Sequence, residues 1–235
     1  MDLGEKELLG EYKFQASKHA VQMVRSGNVV GLGFGSTAIY ALRLIGELIT
    51  KGELKDIRAV PTADSIEKAA REHHIPVTKL GEIERIDITI DGADEIDPDL
   101  NLIKGGGGAL LREKIVAQAT KREIIVADHT KRSPQLGTNF DLPVEVLPFG
   151  WESQIDFLTE LGSAPRRRMS IEGQPFVSDS GNFILDCKFG PISDLASLAR
   201  RLESRAGIIE HGLFLALASD VVVAGPEGIE HLTRS

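Results

Sequence analysis

The chain carries a single cysteine, Cys187, in 235 residues. An internal disulfide and a cysteine-cluster metal site are therefore excluded. No run of about 18 consecutive apolar residues occurs, which excludes a membrane helix. The start, MDLGEKELLGEYK, mixes charges and lacks an apolar stretch, so no signal peptide is expected and a cytoplasmic location is. Basic charge is also short. Against 35 Asp and Glu stand 27 Lys and Arg, a formal net charge of −8. That balance argues against a nucleic-acid partner but allows a locally basic pocket for a small anion. Aliphatic material is not lacking: hydrophobic residues make up 42%, which excludes disorder and suits one large domain or two small ones.

Glycine is in excess, at 24 residues, and it concentrates in GLGFG (31–35) and GGGG (105–108). Around these loops the chain alternates strand and helix. Residues 5–25 read as a helix with Leu9, Tyr12, Ala16, Ala20 and Val24 on one face. Strands follow at 29–32, 57–60, 86–90 and 124–127, with helices after Thr37 (Ile39, Leu42, Ile45, Leu48) and at 65–73 and 108–120. This order predicts a parallel sheet flanked by helices. Beyond Lys131 it becomes strand 142–147, helix 151–161, strands 166–171 and 183–188, helix 193–204 and strand 207–212, the β-α-β-β-α-β order of a ferredoxin-like unit. A last buried strand at 218–224 is expected to rejoin the first sheet. The fold class is thus α/β, a Rossmann-like parallel-sheet domain (1–136 and 213–235) with a ferredoxin-like α+β insert (137–212).

Four segments can carry chemistry. GLGFGST (31–37), between a strand and a helix, suits an anion: glycines admit close backbone approach, and Ser36 and Thr37 offer hydroxyls at a helix start. A tight turn with Ser36 or Thr37 as N-cap explains the same residues. As a dinucleotide fingerprint it fits poorly, and it has no Walker lysine. DGADEID (91–97) follows a strand, where open α/β sheets bind ligands. Asp91 and Asp94 can orient hydroxyls; a metal site or a self-bonded polar turn are the rivals, the turn being favoured for Asp97 and Asp99. Lys104 with Gly105, Gly106, Gly107 and Gly108 offers a cation and open amides for a phosphate or a developing negative oxygen, or else is a flexible connector. Glu113, near the next helix start, is a general base or a surface acid, and periodicity alone favours the surface acid. Lys131 closes another strand end. The triplet Arg166, Arg167, Arg168 reads as a solvated face.

Taken together, GFGSTA (33–38), DGADEI (91–96), KGGG (104–107), LREK (111–114) and AD-x-x-K (127–131) resemble the type A ribose-5-phosphate isomerase family over nearly the whole chain. The resemblance implies interconversion of ribose 5-phosphate and ribulose 5-phosphate, through a cis-enediolate, without metal or organic cofactor. By the same resemblance, Glu113 is the proton acceptor, and Asp91 and Asp94 bind sugar hydroxyls and assist ring opening. Lys104 and the adjacent glycine amides stabilise the negative oxygen. Gly35, Ser36, Thr37, Lys13 and Lys131 hold the phosphate. Phe34 stands where a small polar residue is usual in the family, so its contact is expected through the backbone; Gly92 and Ala93 complete the aspartate loop. A sugar phosphate is the implied partner, with no nucleic acid or membrane, and a homodimer or tetramer is expected. A sugar-phosphate sensor, a transferase or deaminase on the same fold, and a dehydrogenase remain as alternatives.

Overall fold

The structure is a computed structural model that describes residues 3–234; residues 1, 2 and 235, which the expected first domain includes, lie outside it. In chain order the elements are α1 (Leu3–Val21), β1 (Val29–Leu32), α2 (Ala38–Thr50), β2 (Arg58–Pro61), α3 (Asp64–Glu72), β3 (Ile88–Asp91), β4 (Glu95–Ile96), β5 (Leu102–Ile103), α4 (Leu110–Gln118) and β6 (Glu123–Asp128). Then come β7 (Leu142–Val146), α5 (Glu152–Glu160), β8 (Ala164–Arg167), β9 (Phe183–Lys188), α6 (Leu195–Glu203), β10 (Ile208–His211), β11 (Leu213–Phe214), β12 (Asp220–Gly225) and β13 (Gly228–Thr233). The chain divides into two units. One takes the chain up to Ala93, Arg112–Lys131 and everything from Leu217; the other takes Asp94–Leu111 and Arg132–Ala216.

The first unit is a six-stranded sheet in the order β13-β12-β6-β3-β1-β2. All its pairings are parallel except that of β13, an antiparallel edge strand on β12. Ranked among themselves, the parallel strands run 2-1-3-4-5, a doubly wound order. Every residue of β1, β3 and β6 is buried, as apolar runs such as Ile124, Ile125 and Val126 require when helices cover both faces. Helix α1 packs on α2, β6 and β12 through small residues, with Ala16 and Ala20 fully buried. It stops at Val21 rather than 25, because the N–H groups of Met23 and Val24 reach back only three residues, to Ala20 and Val21. The buried face of α2 is Ala38, Ala41, Leu42 and Ile45; Ile39 and Leu48 are only half-buried.

The second unit holds an antiparallel sheet in the order β10-β7-β9-β8. With α5 and α6 it forms the expected β-α-β-β-α-β set, whose strands rank 4-1-3-2. Leu142, Val144, Val146, Leu158, Leu185, Cys187 and Leu202 form its core, and burial pushes the Cys187 thiol pKa up. Strand β8 lies at 164–167 rather than 166–171; Pro165, which has no N–H to donate, is tolerated there because β8 is an edge strand. A small sheet, β11-β5-β4, was not expected from the sequence. Its strands are two residues each, too short to show alternation.

Candidate active site

In a 2-1-3-4-5 sheet the connections leave β1 and β3 toward opposite sides, so a crevice opens beyond the carboxyl ends of those two strands. The GLGFGST and DGA loops start there. Two glycines are required by close approach. A Cβ on Gly31 would lie 2.0 Å from Thr89 Oγ1, and one on Gly33 would lie 2.2 Å from Asp91 Oδ1 and 2.4 Å from Asp91 Cα. Asp91 is the last residue of β3, not a loop residue, and is 1% exposed. Its Oδ1 accepts the N–H of Phe34 at 3.0 Å and that of Gly92 at 2.7 Å. This carboxylate therefore ties the two strand-end loops together, each charged hydrogen bond contributing about 1.5–3 kcal/mol.

Past Phe34 the loop turns through Gly35 at φ +122° and enters α2. Neither Ser36 nor Thr37 acts as the side-chain cap that the sequence suggested. Thr37 occupies the N-cap position with helical dihedrals and no capping bond, and its carbonyl accepts the buried Ser17 hydroxyl at 2.9 Å. Ser36 is exposed, and its hydroxyl oxygen accepts a hydrogen bond from Lys13 Nζ at 3.0 Å. Lys13 lies 4.0 Å from the buried Asp128 carboxylate at the end of β6. A cation, a hydroxyl and the start of a 13-residue helix thus meet at one place, the requirements of a phosphate cradle. Lys131 stands half-buried on the 3-10 turn His129–Lys131 that follows β6. Asp128 shapes that turn by accepting both the N–H and the hydroxyl of Thr130.

Glu113 departs from what periodicity favours. It lies in the first turn of α4, as expected, yet is only 4% exposed. The helix begins at Leu110 rather than 108, since Gly108 has a φ of +89° that no helix can include. Half-buried Arg112, beside it, pairs with Asp64 at the start of α3.

In the second unit, the Asp94 N–H donates to the Ile103 carbonyl at 2.9 Å, and its Oδ2 accepts the Gly106 N–H at 2.7 Å. Lys104 is 2% exposed, with Nζ 5.5 Å from the centre of the Phe214 ring. Gly105 and Gly106 are packed too tightly for side chains. A Cβ on Gly105 would meet Leu110 at 2.8 Å, and one on Gly106 would meet Asp94 Oδ1 at 2.6 Å. The glycine run is thus an ordered turn, not a slack connector. Two residues missed at the sequence level shape this region. Glu95, fully buried, accepts the N–H groups of Gly137 at 2.8 Å and Asn139 at 3.0 Å. Arg168 is no solvated side chain: it donates to the carbonyls of Gly105 at 2.7 Å and Gly106 at 3.0 Å. Asp97 is the polar turn residue expected, bonded to the N–H and side chain of Asn101. Among the described residues no group of three or more His, Cys, Asp or Glu side chains is placed to hold a metal ion.

Fold and loops define a doubly wound α/β protein with glycine-rich and acidic loops at the strand ends of its parallel sheet. The profile described as ribose 5-phosphate isomerase A (phosphoriboisomerase A) matches residues 58–228. Ribose-5-phosphate isomerase A of Chloroflexus aurantiacus is 55% identical over 223 residues, 95% of this chain and 93% of that protein. A D-ribose-5-phosphate isomerase solved with phospho-erythronic acid superposes with a TM-score of 0.94 at 38% identity, covering 96% of this chain and 99% of that one. The Plasmodium falciparum enzyme gives 0.92 at 38% identity, covering 95% and 98%. The chain belongs to the type A ribose-5-phosphate isomerase family.

Proposed function

We propose that this chain interconverts D-ribose 5-phosphate and D-ribulose 5-phosphate, in the non-oxidative pentose phosphate pathway, with Glu113 as the proton carrier. The carboxylate of Glu113 takes the proton from C2 of the open-chain aldose. The electrons of that C–H bond form the C1–C2 double bond while O1 takes up negative charge, giving a cis-enediolate. Return of that proton from Glu113 to C1, with the O2 proton passing to O1 as the C2=O2 bond forms, leaves the ketose. Lys104 and the amides of Gly105 and Gly107 stabilise the negative oxygen, a role worth far more in a dry site than in water; the Gly106 amide, expected to share it, is held by Asp94 instead. Asp91 and Asp94 orient sugar hydroxyls and assist ring opening. Lys13, Gly35, Ser36, Thr37 and Lys131 hold the phosphate, with Phe34, Gly92 and Ala93 contributing backbone. No step calls for a metal or an organic cofactor.

Family membership over nearly the whole chain, joined to the burial of Glu113 directly after the glycine turn, carries this reading. The ligand of the solved relative supports it: an aldonate phosphate presents two coplanar oxygens, as an enediolate does. Conversion of ribose 5-phosphate, with and without EDTA, tests it on the wild type and Glu113→Gln. Turnover that survives EDTA and falls on the order of 100- to 10,000-fold in the variant is expected. A folded wild type without turnover overturns the activity, and a variant within tenfold overturns the role of Glu113.

A homodimer or homotetramer acting in the cytoplasm completes the proposal. Exposed Phe149 (89%) and Ile171 support a contact with another copy, and light scattering reports the copy number. Among the described residues no helix is long and apolar enough to cross a membrane.

A further inference from the structure

The glycine turn is held from two sides by side chains of its own unit. Asp94 takes the Gly106 N–H, while one nitrogen of Arg168 donates to the carbonyls of Gly105 and Gly106. In a trans peptide the N–H points opposite the C=O. Holding the Gly105 carbonyl therefore aims the Gly106 N–H at Asp94. Holding the Gly106 carbonyl fixes the opposite direction for the Gly107 N–H, on an exposed residue. A run of four glycines has more backbone freedom to lose than any other sequence, so these contacts select one conformation from many.

Arg168 is itself rigid. Its N–H donates to Ile184 O at 2.8 Å, and its carbonyl accepts from Phe176 N–H at 3.0 Å. Its Nε and second terminal nitrogen form a two-pronged pair with Asp186 of β9. The guanidinium lies 5.8 Å from the centre of the Phe176 ring. That ring abuts Gly108, where a Cβ would come within 2.3 Å of it. An arginine saturated by a carboxylate, two carbonyls and a ring has little charge left for a ligand. Its geometry serves the turn.

We propose that Arg168, locked by Asp186, is a positioning residue that holds the two peptides between Gly105 and Gly107 so that the Gly106 amide stays on Asp94 and the Gly107 amide meets the negative oxygen of the intermediate. The inference rests on the isomerase reading of that amide. Such a residue acts on the transition state more than on substrate affinity.

The test compares Arg168→Gln, Arg168→Lys and Asp186→Asn with Arg166→Gln, whose exposed guanidinium pairs with Asp141. Measured are kcat and KM for ribose 5-phosphate, the inhibition constant of 4-phosphoerythronate, and amide exchange over 104–110. In Arg168→Gln, kcat falls on the order of 100-fold with KM within about threefold. The inhibition constant rises by the factor that kcat/KM loses. Exchange at the Gly106 amide quickens while that of β9 does not, Arg168→Lys recovers part of kcat, and Arg166→Gln stays near wild type. A folded Arg168→Gln with kcat within twofold of wild type, or one whose loss lies wholly in KM with inhibition unchanged, overturns the proposal. Should that variant fail to fold, Arg168→Lys and Asp186→Asn carry the same expectation, and full kcat in both overturns it. A wild type without isomerase activity sinks the functional reading instead, and exchange at Gly106 then still decides whether Arg168 orders the turn.

Discussion

Gly33→Ala is the sharpest test of how the strand-end loops are built. The added carbon would lie 2.2 Å from Asp91 Oδ1, 2.3 Å from its Cγ and 2.4 Å from its Cα. Ordinary carbon contacts are about 3.5–4.0 Å, so more than an ångström must be found. Rotating the Asp91 side chain cannot supply it, because the Cα is among the clashing atoms. The ends of β1 and β3 must separate, which breaks the Phe34 N–H bond to Asp91 and strains that of Gly33 N–H to Ile90 O, both 3.0 Å. Overpacking costs about 1–3 kcal/mol, and a lost hydrogen bond to a carboxylate about 1.5–3 kcal/mol. The sum, about 2.5–6 kcal/mol, is a large share of an ordinary domain stability of about 5–15 kcal/mol. Gly35→Ala is the control. No atom lies within 4 Å of its Cβ position, and only the φ of +122° opposes it, at about 1–3 kcal/mol. Urea unfolding followed by far-UV circular dichroism, at one chain concentration, measures both. A Gly33→Ala protein within about 1 kcal/mol of wild type would refute the close-approach account.

Two further outcomes follow from the hydrogen bonds. Burial raises the pKa of Asp220, but hydrogen bonds from Arg122 and His231 outweigh it and hold the carboxyl below the usual range. A depressed carboxylate contributes stability that is full above its unfolded pKa of about 3.9 and is lost as pH falls through the lower folded value. Asp220→Asn therefore flattens the fall in stability between about pH 5 and pH 2, read by urea unfolding across that range. Glu95→Gln keeps the shape but turns one acceptor into a donor facing the N–H of Gly137 or Asn139. It should cost about 1–3 kcal/mol, with amide exchange rising first around 137–139; unchanged exchange there would show that the loop stands without the carboxylate.

Much of this was legible in the residues. Apolar runs such as 124–127 specify buried strands whatever surrounds them, because only a sheet covered on both faces accommodates them. The alternation of strands and helices then implies a parallel sheet, and ligand-binding loops at its strand ends. The acid run was legible as a functional segment, since four acids in seven residues after a strand need partners. Which partner each takes was not: Asp91 reaches Phe34, Asp94 reaches Gly106, and Glu95 reaches Gly137 and Asn139. Those contacts are backbone N–H groups, and a backbone N–H carries no signature of residue type.

Other features came only with the third dimension. The two-residue strands β4, β5 and β11 exist because they pair with each other, not through any period of their own. The edge strand β13 is mostly exposed, so its residues show no apolar pattern and only pairing with β12 makes it a strand. Glu113 reads as a surface acid along its helix and is buried by what packs over that face. Arg168 reads as one of three solvated arginines, yet it is the one whose guanidinium meets two glycine carbonyls about sixty residues away. Local sequence determines the elements and the loops where ligands bind, because propensity, periodicity and glycine act over a few residues. Which side chains are buried and which loops they tie down is decided by long-range packing, since that depends on residues far apart in the chain.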